Sequence, residues 1–198
     1  MRALLLIDIQ NDFLPGGALA VAQGDEVVPV ANRLMPEYEL VVATQDWHPA
    51  NHRSFASQHP GRHVGEVIEL DGLAQILWPD HCVQGTRGAE FAPGLDVAGI
   101  QHVVQKGTDR NIDSYSGFFG NARRKATGLE EYLRGKGVDE VHIVGLATDY
   151  CVKFTALDAV ALGLRTVVLT EGVRGVDLKA GDCRRAIEEM KAAGVTIR

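Results

Sequence analysis

Four polar residues stand where short apolar runs stop. Asp8 follows Leu4-Leu5-Leu6-Ile7, Asp46 follows Leu40-Val41-Val42-Ala43, Lys106 follows His102-Val103-Val104, and Cys151 comes shortly after Val141-His142-Ile143-Val144. An acid, an amine and a thiol have a coherent joint chemistry. The acid takes the thiol proton and returns it to a leaving amine, the amine holds the anions by charge, and the thiol attacks a carbonyl and is acylated. Cys151 has the strongest local context. The stretch Gly145-Leu146-Ala147-Thr148-Asp149-Tyr150-Cys151 leads from a strand into a helix, with Thr148 or Asp149 as the expected N-cap. In a first helical turn the dipole favours thiolate over thiol, and free backbone N–H groups can hold an oxyanion. Plainer readings exist for each residue: Asp8 as a turn cap, Lys106 as a surface lysine, Cys151 as a small buried side chain. Their shared place at strand ends sets them apart. Cys183 has no such setting, and Cys82 is intermediate because it follows His81.

Asp46-Trp47-His48 puts two ligand-type side chains two residues apart, on one side of an extended segment. His81 would join them from across a long loop. Two imidazoles and a carboxylate with open positions suit zinc, iron or manganese. His52 is a candidate fourth ligand or a support for its loop. His59, His63, His102 and His142 are read as ordinary loop or strand residues.

The elements that must position these groups follow from the apolar pattern. With Thr166-Val167-Val168-Leu169 and Val195-Thr196-Ile197 there are six short apolar runs, continuous rather than alternating. Such runs suit strands buried on both faces of a parallel sheet. Helices are expected over Val27 to Met35, Gly128 to Gly135, Asp149 to Leu162 and Asp182 to Ala193, with Gly163 and Gly194 just past the last two. Alternating strands and helices with right-handed crossovers imply an α/β three-layer αβα sandwich on a mainly parallel six-stranded sheet. Ligands in such sheets bind at the carboxyl ends of the strands, beside a topological switch point. One stretch breaks the rhythm. Residues 46 to 101 carry only weak strand hints, at Val67-Ile68 and Ile76-Leu77, yet hold five of the seven histidines and both tryptophans. Long irregular segments inside compact domains tend to be functional.

Composition narrows the function classes. A chain of 198 residues is read as a single domain over 1–198, within the usual ~100–200 residues. Apolar residues at 45% and charged residues at 23% exclude a disordered or collagen-like chain. Twenty Lys+Arg against 26 Asp+Glu leave −6 with no basic block, so a nucleic-acid backbone is not an expected partner. The early run Ala3 to Ile7 stops at Asp8, too short for a signal-peptide core or a membrane span. Three cysteines cannot all pair, which favours reduced thiols in the cytoplasm. Nothing in the pattern separates a monomer from a homo-oligomer.

Five segments together resemble the nicotinamidases of the isochorismatase-like, or cysteine hydrolase, superfamily. They are Asp8-Ile9-Gln10-Asn11-Asp12-Phe13, Asp46-Trp47-His48-Pro49, Trp78-Pro79-Asp80-His81-Cys82-Val83, Lys106-Gly107 and Gly145 to Val152. The resemblance implies a Rossmann-like parallel sheet and hydrolysis of nicotinamide to nicotinate and ammonia through a cysteine thioester, in NAD salvage. Pyrazinamide is a further substrate it would allow. It implies Asp8, Lys106 and Cys151 as the catalytic triad, and Asp46, His48 and His81 as ligands of one divalent ion that binds the pyridine nitrogen. It also implies a ring pocket of Phe13, Leu19, Trp78 and Tyr115, and an oxyanion hole from the N–H groups of Ala147 and Cys151, with a cis bond between Leu146 and Ala147. His52 matches a ligand in only some members. Two alternatives stay open. One is a cysteine amidohydrolase of the same superfamily acting on ureido or carbamoyl compounds, whose members usually lack the Asp-Trp-His and Trp-Pro-Asp-His pair. The other is a non-catalytic metal-binding α/β module. It would lack a nucleotide fingerprint here, since Asp8-Ile9-Gln10 stands where Gly-x-Gly-x-x-Gly would be.

Overall fold

The computed structural model describes all 198 residues. Six strands form one sheet in the order β5-β2-β1-β6-β7-β8, every neighbouring pair parallel. They are β1 (Arg2–Ile7), β2 (Leu40–Asp46), β5 (His102–Lys106), β6 (Glu140–Leu146), β7 (Arg165–Arg174) and β8 (Thr196–Ile197). The apolar runs account for this. Five of the six residues of β1 and all seven of β2 are buried, as strands covered on both faces must be.

The covering layers divide β1 residue by residue. Ala3, Leu5 and Ile7 pack with α2 (Leu129–Gly135), α3 (Lys153–Ala161) and α4 (Asp182–Ala192). Leu4 and Leu6 point the other way, to α1 (Val27–Leu34) and the loop residues Phe13, Ala89 and Leu95. The chain builds outward from β1 through β2 to β5, then returns to β6 on the far side of β1. The order therefore reverses between β1 and β6. At that point the connections leave in opposite directions and make a crevice beyond the carboxyl ends of the paired strands, flanked by Asp8 and the turn carrying Cys151.

Three expectations need correction. The irregular stretch contains an antiparallel hairpin, β3 (Val67–Leu70) and β4 (Leu73–Ile76), outside the main sheet. Its alternation is hidden because Val67 and Leu73 are not buried. β7 runs five residues beyond Leu169, to Arg174, by way of a register shift against β6 between Ile143 and Gly145. The helix after β6 does not open at Asp149. A wide π-type turn, Thr148–Val152, precedes α3, and the residue before it is Ala147, with no side-chain cap.

Gly145 makes the close β1–β6 contact possible. Its φ is +123°, and a Cβ there would collide with the Ile7 backbone. Gly145→Ala should therefore destabilise the protein by about 2–4 kcal/mol, the sum of backbone strain and overpacking. Urea unfolding with an unchanged m-value checks this, and a loss under ~0.5 kcal/mol would contradict it.

Candidate active site

Asp8 sits at the first residue past β1, with φ +47°, and its carboxylate is fully buried. Thr44 on β2 holds it: the hydroxyl donates to Asp8 Oδ1 at 2.6 Å and accepts from the Asp8 N–H at 3.1 Å. Lys106 ends β5 and reaches inward, its side chain entirely buried. The ammonium donates to Asp46 Oδ1 at 2.6 Å and to the Ser114 carbonyl at 2.8 Å, and lies 2.9 Å from Asp8 Oδ2. Cys151 Sγ is 3.5 Å from the same nitrogen. Carboxylate oxygens of Asp8 and Asp46 and the Cys151 sulfur all lie within 4.8 Å of one another. Asp8 Oδ2 takes no directed hydrogen bond, which leaves it free to accept a proton.

Burial and charge then compete group by group. Burial works against the Lys106 charge, but Asp46 and Asp8 outweigh it and hold the ammonium well above its ordinary range. Burial also works against the Asp46 charge, and here Lys106 and His48 win, leaving the carboxylate well below the usual range. For Asp8 burial prevails over Lys106 and the carboxyl is raised. Cys151 is likewise pushed well above the ordinary thiol range by burial, only partly offset by Lys106. This overturns the expectation of a dipole-stabilised thiolate. The cysteine lies in a wide turn before α3, and burial is the largest influence on it. Burial thus raises the proton affinity of the thiol and of the neighbouring Asp8 carboxyl alike.

Asp46 Oδ2 is 3.7 Å from His48 Nε2 and 4.0 Å from His81 Nε2. Each imidazole has its other nitrogen engaged: His48 Nδ1 contacts the Gly107 carbonyl at 3.0 Å and His81 Nδ1 the Pro79 carbonyl at 2.7 Å. A carbonyl only accepts, so both Nδ1 atoms donate, and both Nε2 atoms are turned toward Asp46 Oδ2. That is the arrangement of metal-ligating histidines. Burial and the neighbouring His48 bring His81 down to about 4, so it is neutral at physiological pH, as a ligand must be. The donor set fits a divalent metal ion. Gly107 is required here, because its φ is +64° and a Cβ would strike the His48 ring. His52 packs 4.5 Å from His48, but its Nδ1 is taken up by Ser54 at 2.7 Å, and its other nitrogen lies 3.4 Å from the Ile112 carbonyl.

A partly open pocket lies over this cluster. Its walls include Phe13, Leu19, Trp78 and Tyr115, and its floor includes Cys151, Ala147, Asp46 and His81. Trp78 Nε1 donates to the Tyr115 hydroxyl at 3.0 Å, which fixes both rings. The Leu146–Ala147 peptide is cis, and the Ala147 N–H donates to no acceptor in the protein. Three lining residues, Asp113, Tyr150 and Val176, escaped the sequence reading. Tyr150 was adjacent to Cys151 and could have been found. Val176 arrives from beyond β7 with no local signal. Asp149, expected as a cap, instead accepts the N–H groups of Val176 at 3.0 Å and Asp177 at 2.8 Å. It thereby ties that wall to the Cys151 turn.

Known proteins resemble the chain along its whole length. The isochorismatase-domain family model matches residues 2–198. The chain belongs to the isochorismatase family. A nicotinamidase from Escherichia coli is 54% identical, covering 99% of this chain and 93% of that protein. A solved nicotinamidase–pyrazinamidase from an Acinetobacter superposes with a TM-score of 0.96 at 48% identity, over 99% of this chain and 94% of the other. A Pyrococcus horikoshii pyrazinamidase, solved in complex with zinc, gives 0.81 at 40% identity, over 100% and 98%. Isochorismatase-family sheets with these strand ends are what this sequence builds.

The buried ion pairs have a measurable consequence. Lys106→Met leaves Asp8 and Asp46 uncompensated and should cost about 3–5 kcal/mol at pH 8 with chelator present. Without the ammonium the Asp46 carboxyl loses the charge that holds it low and Asp8 rises further, so the loss should shrink as pH falls and they take up protons. Urea titrations at several pH values check the sign. A loss that stays constant or grows toward acid pH would contradict it.

Proposed function

We propose that this protein is an amidohydrolase that converts nicotinamide to nicotinate and ammonia as a step of NAD salvage, and that it also accepts pyrazinamide. The whole of residues 1–198 serves as one catalytic domain. The observation that carries this reading is the buried Asp8–Lys106–Cys151 cluster, with Lys106 Nζ 2.9 Å from Asp8 and 3.5 Å from the thiol, beneath a cavity walled by aromatic rings. The similarity to nicotinamidases and to a pyrazinamidase supports the same substrate class. Aromatic walls suit a flat heteroaromatic ring better than a small ureido compound.

Asp8 takes the Cys151 proton as the sulfur attacks the amide carbon, and the carbonyl π electrons move to oxygen. The oxyanion is held by the N–H groups of Ala147 and Cys151. An Ala147 N–H with no partner in the protein is available for that bond, and one such donor is typically worth about 3 kcal/mol in the transition state. The C–N bond then breaks as Asp8 returns the proton, and ammonia leaves. Water attacks the thioester carbonyl with Asp8 again as base, the C–S bond breaks, and the thiol regains its proton. Lys106 stays charged throughout. It offsets the negative charge that passes between Asp8 and Cys151.

Asp46, His48 and His81 would hold the divalent ion, zinc by our reading. When bound it would supply a Lewis acid for the ring nitrogen of the substrate. Phe13, Leu19, Trp78 and Tyr115 sandwich and edge the ring. The three cysteines are all free, which fits a reducing compartment such as the cytoplasm. No helix is long and apolar enough to cross a membrane.

Cys151→Ala should release ammonia from nicotinamide at least ~10³-fold more slowly than the wild type while keeping the fold, since the nucleophile alone is lost. An ammonia assay with a far-UV spectrum of each protein checks both parts. Turnover within tenfold of wild type would sink the assignment.

A further inference from the structure

β1 ends three ladder positions too early for the metal-ligand strand beside it. Its pairing with β2 stops at Leu6 opposite Ala43, and Asp8, at φ +47°, turns the chain out of the sheet. On β2, Gln45 and Trp47 face β5, where the Trp47 N–H donates to the Lys106 carbonyl at 2.9 Å. The N–H and C=O of Asp46 therefore face the side that β1 has vacated. The Gln10 side chain stands in for the absent strand. Its Oε1 accepts the Asp46 N–H at 2.8 Å, and its Nε2 donates to the Asp46 carbonyl at 2.9 Å and to the Ala89 carbonyl at 2.8 Å. Gln10 is fully buried and both its amide N–H bonds are used.

Asp12, two residues on, performs the same task for the loop of His81. Its Oδ2 accepts the N–H of Cys82 at 2.7 Å, and the Cys82 carbonyl in turn accepts the His48 N–H at 3.0 Å. One short segment thus reaches three places from alternate positions: Asp8 to the ammonium of Lys106, Gln10 to the backbone of Asp46, Asp12 to the backbone beside His81. We propose that Gln10 and Asp12 are positioning residues that preform the metal centre and fix its offset from Asp8. This rests on the reading of Asp46, His48 and His81 as metal ligands. Neither residue touches the ion or the substrate; each acts through the backbone of a ligand-bearing segment. Both are needed because the three ligands come from two separate segments, and no β-ladder of the main sheet joins His81 to Asp46.

The test is zinc affinity, read by competition with a chromophoric chelator on the full chain, with turnover at limiting and at saturating zinc as a second readout. Gln10→Met keeps the side chain's length and apolar contacts but removes the amide. Asp12→Ala removes the acceptor, whereas Asp12→Asn keeps a carbonyl that can take the Cys82 N–H. Loss of such supporting partners typically weakens metal binding 10–100-fold, so Gln10→Met and Asp12→Ala should bind zinc at least ~10-fold more weakly, with Asp12→Asn within ~3-fold of wild type. Excess zinc should restore much of their turnover, which a general loss of packing would not permit. If Gln10→Met does not fold, the contrast between Asp12→Ala and Asp12→Asn decides the matter. Zinc affinities of Gln10→Met and Asp12→Ala within ~3-fold of wild type would overturn the inference. A wild type that binds zinc no better than His48→Ala would instead overturn the ligand reading beneath it.

Discussion

The structure turns on one fully buried ammonium. Lys106 lies between two carboxylates and a thiol, with its side chain wholly enclosed. Removing such an ion from solvent costs several kcal/mol even after relaxation, and only near-ideal partners recover it. That requirement dictates much of the local architecture. β5 must pair with β2 in a register that sets Lys106 opposite Asp46. β1 must end at the residue that turns Asp8 back toward the ammonium. Thr44 must hold Asp8 Oδ1, so that only Oδ2 remains open. The proposed catalytic and metal-ligating groups are therefore not separate sites placed near one another. They share Asp46 and Lys106, and the charge of each is set by the other.

That sharing assigns each carboxylate a different state. Asp46 has the directed hydrogen bond from Lys106 and the two imidazoles, and stays ionised. Asp8 has the same lysine at a poorer angle and full burial, and its proton affinity rises. Two acids of the same kind are driven apart by environment, the division that the proposed roles of Asp46 as metal ligand and Asp8 as proton acceptor call for. The Cys151 thiol is raised by the same burial, so in the proposed mechanism Asp8 ionises it during attack.

Much of the fold was legible because strand burial writes itself into sequence. Runs such as Leu4 to Ile7 and Val141 to Val144 are apolar without alternation, and only a doubly covered sheet makes that pattern stable. The convergence of Asp8, Asp46, Lys106 and Cys151 followed from the parallel arrangement itself. What escaped was tertiary. Val176 enters the cavity because Asp149 grips its N–H from a turn 27 residues earlier in the chain, and no local pattern encodes that distance. The cap expected of Asp149 failed for the same reason: the carboxylate found two N–H donors elsewhere. The hairpin of β3 and β4 was faint because it is exposed on one side and too short to show a period. The lowered thiol pKa expected of Cys151 failed because a helix-dipole argument has no access to burial, which is known only once the chain is folded.

The most direct test of the central claim is to trap the covalent intermediate. Enzyme mixed with nicotinamide and quenched in acid during the steady state, then digested and analysed by mass spectrometry, should carry a nicotinoyl group on the peptide containing Cys151 and on no other cysteine peptide. Acylation of Cys82 or Cys183 instead, or continued turnover with no acyl-enzyme detectable on Cys151 and no loss in Cys151→Ala, would contradict the account.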